Sequence, residues 1–205
     1  MSVAAQALKA IPEIDSLRLA GARVTLRRPL LSDAARIAEL MNDYGVVKNL
    51  SRAPWPYGLE DAVSWLTHVA GHGGKPNDYP FAIVTSDGLI GVVGISTNPQ
   101  NPEAAELGYW LGRFYWGRGF ATEAGWLALG FAFDMLGLEE VEAGHFADNA
   151  ASGRVLKKLG FTYTQDLARF SRARDCDVLC RMMVLPRRRF EDGTNTAEGG
   201  RNNGG

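Results

Sequence analysis

The sequence predicts one α/β domain in which strands and helices interleave, and three observations carry that expectation. The 205 residues are enough for one sizeable core and too few for several. Strand-type alternation and helix-type spacing of apolar residues take turns along the chain from about residue 22 to about residue 190. Hydrophobic residues make up 46% and charged residues 22%, which excludes both a disordered chain and a membrane-type composition. The expected organisation is an amino-terminal extension over residues 1–21, a folded domain over 22–190, and a disordered tail over 191–205, where "EDGTNTAEGGRNNGG" offers no apolar anchor.

The elements follow in order. "ARVTLRRPL", residues 22–30, alternates Val24 and Leu26 with polar neighbours and predicts a first strand ended by Pro29. "LSDAARIAELMND" places Ala34, Ile37, Leu40 and Met41 on one helical face behind Ser32 or Asp33 as N-cap. After the loop "SRAPWPYG", Ala62, Trp65, Leu66 and Val69 fall at i, i+3, i+4 and i+7 of a second helix. "FAIVTSDGLIGVVGIS" is two β-rich runs around a Ser-Asp-Gly turn, hence an antiparallel hairpin. "AAELGYWLG" is a fourth strand. It leads through a glycine-rich stretch into a helix with the stripe Ala124, Leu127, Phe131 and Met135, stopped by Gly137. "EEVEAGHFA" predicts a strand, "NAASGRVLKKLGF" a short helix closed by Gly160, and "CDVLCRMMVL" a late strand.

Charge and composition narrow the function classes. A formal net charge of −1 gives no general attraction to nucleic acid, so an anion site has to be local. Two cysteines, Cys176 and Cys180, with no histidine at zinc-ligand spacing, argue against a disulfide framework and against a metal site, and fit a reduced cytoplasm. No apolar run approaches ~18 residues, and the amino terminus lacks a secretory pattern, so neither membrane spanning nor secretion is expected.

The stretch "YWGRGFATEA", residues 115–124, runs from strand to helix. Gly117 and Gly119 permit positive φ and bare backbone amides, Arg118 adds a charge, and the helix start adds the positive end of a dipole. The residues alone fit a tight turn as well as an anion cradle. No G-K-[ST] follows, and a three-glycine dinucleotide fingerprint is incomplete, which removes support from nucleotide hydrolysis and hydride transfer.

A second segment, "FADNAASGRVLKKLGF" at residues 146–161, follows "ELGYWLGRFYWGRGFATEA" by about forty residues. Together with "RRPLLSDA", these stretches resemble the GNAT superfamily of acetyl-CoA-dependent N-acetyltransferases, in its ribosomal-protein N-terminal acetyltransferase (RimJ/RimL-like) branch. The superfamily's pyrophosphate loop, [Q/R]-x-x-G-x-[G/A], is matched from Trp116 to Ala121, with Trp116 replacing the polar first residue. The resemblance implies a mixed, mostly antiparallel sheet with helices on both faces, splayed after its fourth strand so that the pantetheine arm of the donor pairs with that strand. It also implies acetyl-CoA as cosubstrate, bound by Tyr109, Leu111, Trp116, Gly117, Arg118, Gly119, Phe120, Ala121, Thr122 and Asn149.

Acetyl transfer to an amine asks for a proton acceptor, because a lysine-type or N-terminal amine is largely protonated near neutral pH. Glu106, on the strand beside the expected cleft, is the best placed carboxylate, acting directly or through a water. The tetrahedral intermediate needs hydrogen-bond donors, which backbone N–H groups of the splayed strand supply. The departing thiolate benefits from a hydroxyl, and Ser152 stands where the branch places a serine three residues after an asparagine. Asn149 also suits a helix N-cap, His145 is a lesser candidate base, and Glu123 fits a first helical turn without further function. The expected acceptor is a primary amine, above all a protein N-terminus, with the loops at residues 51–62 and 72–80 bordering its cleft and the enzyme acting as monomer or homodimer in the cytoplasm. A small-amine enzyme for an aminoglycoside or polyamine, and a non-catalytic acyl-CoA sensor, stay open at this point.

Overall fold

The computed structural model describes residues 16–71, 78–98 and 101–192. Its strands are β1 (Arg18–Ala20), β2 (Thr25–Arg27), β3 (Asp78–Thr85), β4 (Gly88–Asn98), β5 (Asn101–Leu111), β6 (Glu140–Phe146), β7 (Thr162–Ser171) and β8 (Cys176–Pro186). Its helices are α1 (Ala34–Met41), α2 (Tyr44–Val47), α3 (Leu59–Gly71), α4 (Phe120–Gly130), which runs on into a π-helical turn at Phe131–Met135, and α5 (Ala150–Lys158). The eight strands form one sheet in the order β1-β2-β3-β4-β5-β6-β8-β7. Every neighbouring pair is antiparallel except β5 and β6, which run parallel. The fourth strand of the sequence reading is therefore β5, because β1 lies within the segment expected to precede the domain.

Strand register sorts the side chains onto two faces. Phe81, Val93 and Tyr109 are cross-strand partners, as are Tyr79, Ile95 and Leu107, and this face meets Phe131 through ring contacts of Tyr79 and Phe81. Gly125 of α4 lets α5 approach, since a Cβ there would stand 2.6 Å from a Leu159 methyl. The opposite face carries Asp78, Ser96 and Glu106 in one row and Pro80, Gly94 and Gly108 in the next, beneath α1 and α3. Helices thus cover both faces, with Leu26, Ile83, Ile95, Leu107, Ala128 and Leu129 among the fully buried core.

The hairpin turn falls at Ser86–Asp87 as expected, with Gly88 at φ 87°, and Gly137 (φ 69°) and Gly160 (φ 94°) follow the ends of their helices. Asp33 stands at the N-cap position of α1, one of the two expected, but its side chain makes no cap bond to the helix. Asp33 is buried and spent on Arg27, which donates to both carboxylate oxygens at 2.7 Å, and on the Leu30 amide at 2.8 Å. "RRPLLSDA" is thus a clamp between β2 and α1. Burial pushes the Asp33 carboxyl up, but the Arg27 bonds and the Leu30 amide outweigh it and hold it below the usual carboxylate range.

Among the labelled strands and helices, three escaped the sequence reading: β1, three residues long, α2, a single turn, and β7, an edge strand whose side chains are mostly exposed. Phe190, in a helical turn at residues 187–192, is buried against Trp126 and Phe133. Most of the segment expected as a tail, residues 193–205, and most of the loop "HGGKPNDYP" lie outside the described residues.

Candidate active site

Residues 115–124 form a glycine-fronted turn into α4. Gly117 and Gly119 sit at φ 72° and 83°, in the left-handed region that an L side chain rarely adopts, and a Cβ on Gly117 would meet nothing within 4 Å. Gly119 is the N-cap of α4 and has no side chain to satisfy the first amides of Phe120, Ala121 and Thr122. Trp116 is a strut: its indole N–H donates to the Leu111 carbonyl at 2.8 Å, tying the turn to the end of β5. That use explains how a tryptophan replaces the polar residue of the loop pattern. Arg118 lies 4.9 Å from the Phe120 ring centroid, and Arg23 stacks on the same ring from 5.2 Å.

Glu123 faces inward. It accepts from the Arg23 amide at 2.6 Å, from the Val24 amide at 3.2 Å and from the Arg23 guanidinium at 2.9 Å. Burial raises its pKa, but these bonds together lower it, so the carboxylate fastens the start of β2 to α4.

The sheet opens where the donor site was expected. β5 and β6 pair only from Ala104↔Glu140 to Glu106↔Glu142, whereas β5 stays paired with β4 as far as Leu111. Residues 107–111 therefore turn one backbone edge toward a gap. On the α4 and α5 face of that gap, the Tyr109 hydroxyl lies 2.8 Å from Ser152 Oγ and donates to the Ser152 carbonyl at 3.2 Å. Desolvation pushes the phenol up to about 12, with the Ser152 bond pulling it back, so it stays protonated at neutral pH. Asn149 caps α5 by accepting from the Ser152 amide at 3.2 Å.

Glu106 lies on the other face of β5, three residues before Tyr109, in a cavity of about 670 Å³. Gly108, Tyr109 and Trp110 also line this cavity, so it reaches the unpaired stretch of β5. Tyr57 and Tyr79 line it too and are themselves buried, whereas Trp55 is exposed against Tyr44. Arg169 of β7 donates to Glu106 Oε1 at 2.5 Å across the sheet. Burial opposes the charge on that guanidinium, but the bond to Glu106 outweighs it and raises its pKa. Arg169 was not legible because β7 was not; its only signal is the alternation of half-buried Leu167 and Arg169 with exposed neighbours, ending at buried Ser171.

The expected residues thus gather at three points around one strand: the α4 turn, the Tyr109, Ser152 and Asn149 cluster, and Glu106. His145 does not join them. It is buried beneath α5, with Nδ1 2.9 Å from the Phe146 carbonyl and Nε2 3.0 Å from the Tyr163 hydroxyl. Among the described residues no group of His, Cys, Asp or Glu could hold a metal ion, and no helix is long and apolar enough to cross a membrane.

An open mixed sheet, parted between its two parallel strands beside an uncapped, glycine-fronted helix start, defines an acyltransferase of the CoA-using type. The chain belongs to the acetyltransferase (GNAT) domain family, whose pattern it matches over residues 23–162. It is 30% identical over 141 residues to the uncharacterized N-acetyltransferase p20 of Bacillus licheniformis, covering 68% of this chain and 79% of that one. Its fold resembles RimJ of Mycobacterium smegmatis in complex with CoA-disulfide, with TM-score 0.72 and 21% identity, over 80% of this chain and 82% of that one. It also resembles the microcin C7 self-immunity acetyltransferase MccE in complex with acetyl-CoA and AMP, with TM-score 0.70 and 21% identity, over 81% of this chain and 93% of that one. The protein is an N-acetyltransferase with acetyl-CoA as its donor. The residues present suit that donor: the open space at Gly117 and the free first-turn amides of α4 accommodate a pyrophosphate.

Proposed function

We propose that the enzyme acetylates a protein N-terminal α-amine, with Glu106 on the acceptor side of β5 and Ser152 on the donor side. The observation that carries this reading is the single strand shared by both: the cavity containing Glu106 reaches the unpaired stretch of β5, and the Tyr109–Ser152 pair lies across that strand. Acetyl-CoA, when bound, supplies a thioester carbonyl and a thiolate leaving group. Gly117, Gly119 and the amides of Phe120, Ala121 and Thr122 would hold its pyrophosphate, with Arg118 and Trp116 shaping the turn. The free edge of β5 from Tyr109 to Leu111 would pair with its pantetheine arm and offer N–H donors to the carbonyl oxygen as that gains charge. Asn149 orients the first turn of α5 and so places Ser152.

Glu106 takes the proton that the attacking amine gives up, directly or through a water, while Arg169 holds the carboxylate in the cavity. With the donor bound, the Ser152 hydroxyl turns its proton from the Tyr109 oxygen toward the sulfur, and the protonated, desolvated phenol donates to Ser152 Oγ in its place. The likeness to RimJ and the branch resemblance support an N-terminal acceptor. A panel of amine-terminal peptides, lysine amides, polyamines and aminoglycosides, each incubated with acetyl-CoA and followed by thiol release, tests it. Turnover confined to the small amines would overturn the acceptor, and thiol release with no amine at all would overturn the role of the cavity.

A further inference from the structure

The charged groups lining the acceptor cavity are unevenly matched. Glu106 is bonded to Arg169, Asp61 accepts the Gly58 amide at 2.9 Å, and Arg28 donates to the Val69 carbonyl at 3.0 Å. Arg52 and Arg172 also line the cavity, and neither guanidinium has a hydrogen bond or ion pair among the described residues. Their positions are fixed even though their tips are exposed. The Arg172 amide donates to the Ser51 carbonyl at 2.9 Å, and Ser171 Oγ to the Leu50 carbonyl at 3.4 Å, so the end of β7 is stitched to the loop that carries Arg52. Arg174 adds a third stitch, donating to the Lys48 carbonyl at 2.8 Å and to Asp148. Two cations with no side-chain partner among the described residues therefore stand on backbone segments bonded to each other, on the lining of a cavity whose carboxylates are Asp61, Asp78 and Glu106, the last of them paired with Arg169.

We infer that Arg52 and Arg172 form an anion-reading subsite for the acceptor, which selects amines carrying an acidic group one to two residues beyond the residue that bears the nitrogen. Resting on the N-terminal reading above, this names the substrate class as peptides with Asp or Glu at the second or third position. The spacing follows from the end of β7: Arg169 lies within the strand and Arg172 is the first residue past it, so their Cα atoms are at most roughly 11 Å apart. A peptide whose amine lies at Glu106, beside Arg169, covers that span with two residues and a side chain, at ~3.5 Å per extended residue. A polyamine or aminoglycoside would instead bring several positive charges against Arg52 and Arg172, which disfavours that class of acceptor.

The test uses three peptides that share one sequence and differ only at the third residue, Glu, Gln or Lys, with thiol release as the readout. The Glu peptide is expected to exceed the Lys peptide in kcat/KM by roughly three- to tenfold, the range for two exposed charge contacts, with the difference in KM. It should shrink as salt rises, because both guanidinium tips are exposed. The double variant Arg52→Gln with Arg172→Gln should bring the three peptides to one value, and Arg52→Lys with Arg172→Lys should restore most of the order. Equal or reversed rates in the parent, or an order that survives in the Gln variant, would overturn the subsite. If none of the peptides is acetylated, the acceptor reading fails, and the subsite is judged by calorimetry with the N-acetylated Glu and Lys peptides on the CoA-loaded protein. Tighter binding of the Glu form supports it, and equal affinities overturn it.

Discussion

Replacing Glu106 by Gln removes the proposed proton acceptor while keeping nearly the same shape. The amide oxygen still accepts from Arg169, whose guanidinium donates to Glu106 Oε1 at 2.5 Å in the parent. With side chains 29% and 39% exposed, the ion pair is partly screened, and such pairs contribute at most about 1 kcal/mol. For a chain of this size that shifts Tm by about 2–4 °C at most, so the variant should fold. Activity is a different matter, because a positioned base typically contributes ~10²–10⁴-fold. An α-amine with pKa near 7.8 is only about 5% neutral at pH 6.5 and mostly neutral by pH 9. The variant depends on amine that arrives neutral, so its kcat/KM should rise with pH through that range while the parent stays flatter. The gap should be widest near pH 6.5. The assay is thiol release from acetyl-CoA with an N-terminal peptide, recorded across pH for both proteins. Parallel profiles, or a loss below tenfold at every pH, would refute the base assignment and leave Glu106 as a partner that positions Arg169.

Other expectations follow from the same geometry. Ser152→Ala should lower kcat by roughly tenfold or more with little change in acetyl-CoA affinity, since the hydroxyl matters as charge develops on sulfur; stopped turnover with weakened donor binding would instead mark a binding role. Tyr109→Phe should give a smaller loss in kcat than Ser152→Ala, and the two should be less than additive in the double variant, because one hydroxyl orients the other at 2.8 Å. Gly119→Asp should weaken acetyl-CoA in calorimetry of the folded protein by placing a carboxylate at the α4 start; unchanged affinity rejects the cradle. Asp33 and Glu123 have pKa values lowered in the folded state, so their contribution to stability is full above the unfolded carboxylate range near pH 4 and is lost as pH falls through their folded values. Acid titration of Tm should show that loss below about pH 4, and Asp33→Asn should start lower and flatten it.

The helices α1 and α3 were legible because each buries one face at helical spacing. Ile37, Leu40 and Met41 mark α1, and Ala62 and Leu66 mark α3. The left-handed turns were legible because glycine supplies them at residues 88, 117, 119, 137 and 160. β7 was hidden for the opposite reason: as an edge strand it exposes most of its side chains and carries no apolar period. β1, three residues long with only Leu19 half-buried, gave no pattern either. Asp33 holds the N-cap position that the sequence offered, but its side-chain partners were not legible, because a short acid before an apolar run fits a cap as well as a clamp. Only the position of Arg27, six residues earlier and across a turn, decides which bond it makes.

Glu106 and Ser152 show how far residue spacing reaches. Strand parity alone sets Glu106 and Tyr109 on opposite faces of β5, and no register shift intervenes between Ser96↔Glu106 and Val93↔Tyr109. A base and a leaving-group donor on opposite faces of one strand can serve the same carbonyl only where that strand loses a neighbour, so that the reacting atoms lie at its free edge. β5 loses β6 just after Glu106. On the proposed assignment the parting does two jobs: it bares the backbone for the donor, and it lets the acceptor cavity and the Tyr109–Ser152 pair meet at one edge. Inserting one residue between 106 and 109 so that the pleat runs on without a bulge would turn both side chains to the same face and slip the register against β4 by one. Such an insertion should abolish acetyl transfer while leaving acetyl-CoA binding at the α4 turn measurable by calorimetry, provided that circular dichroism shows the variant folded. Retained turnover in that variant would refute the division of labour across the strand.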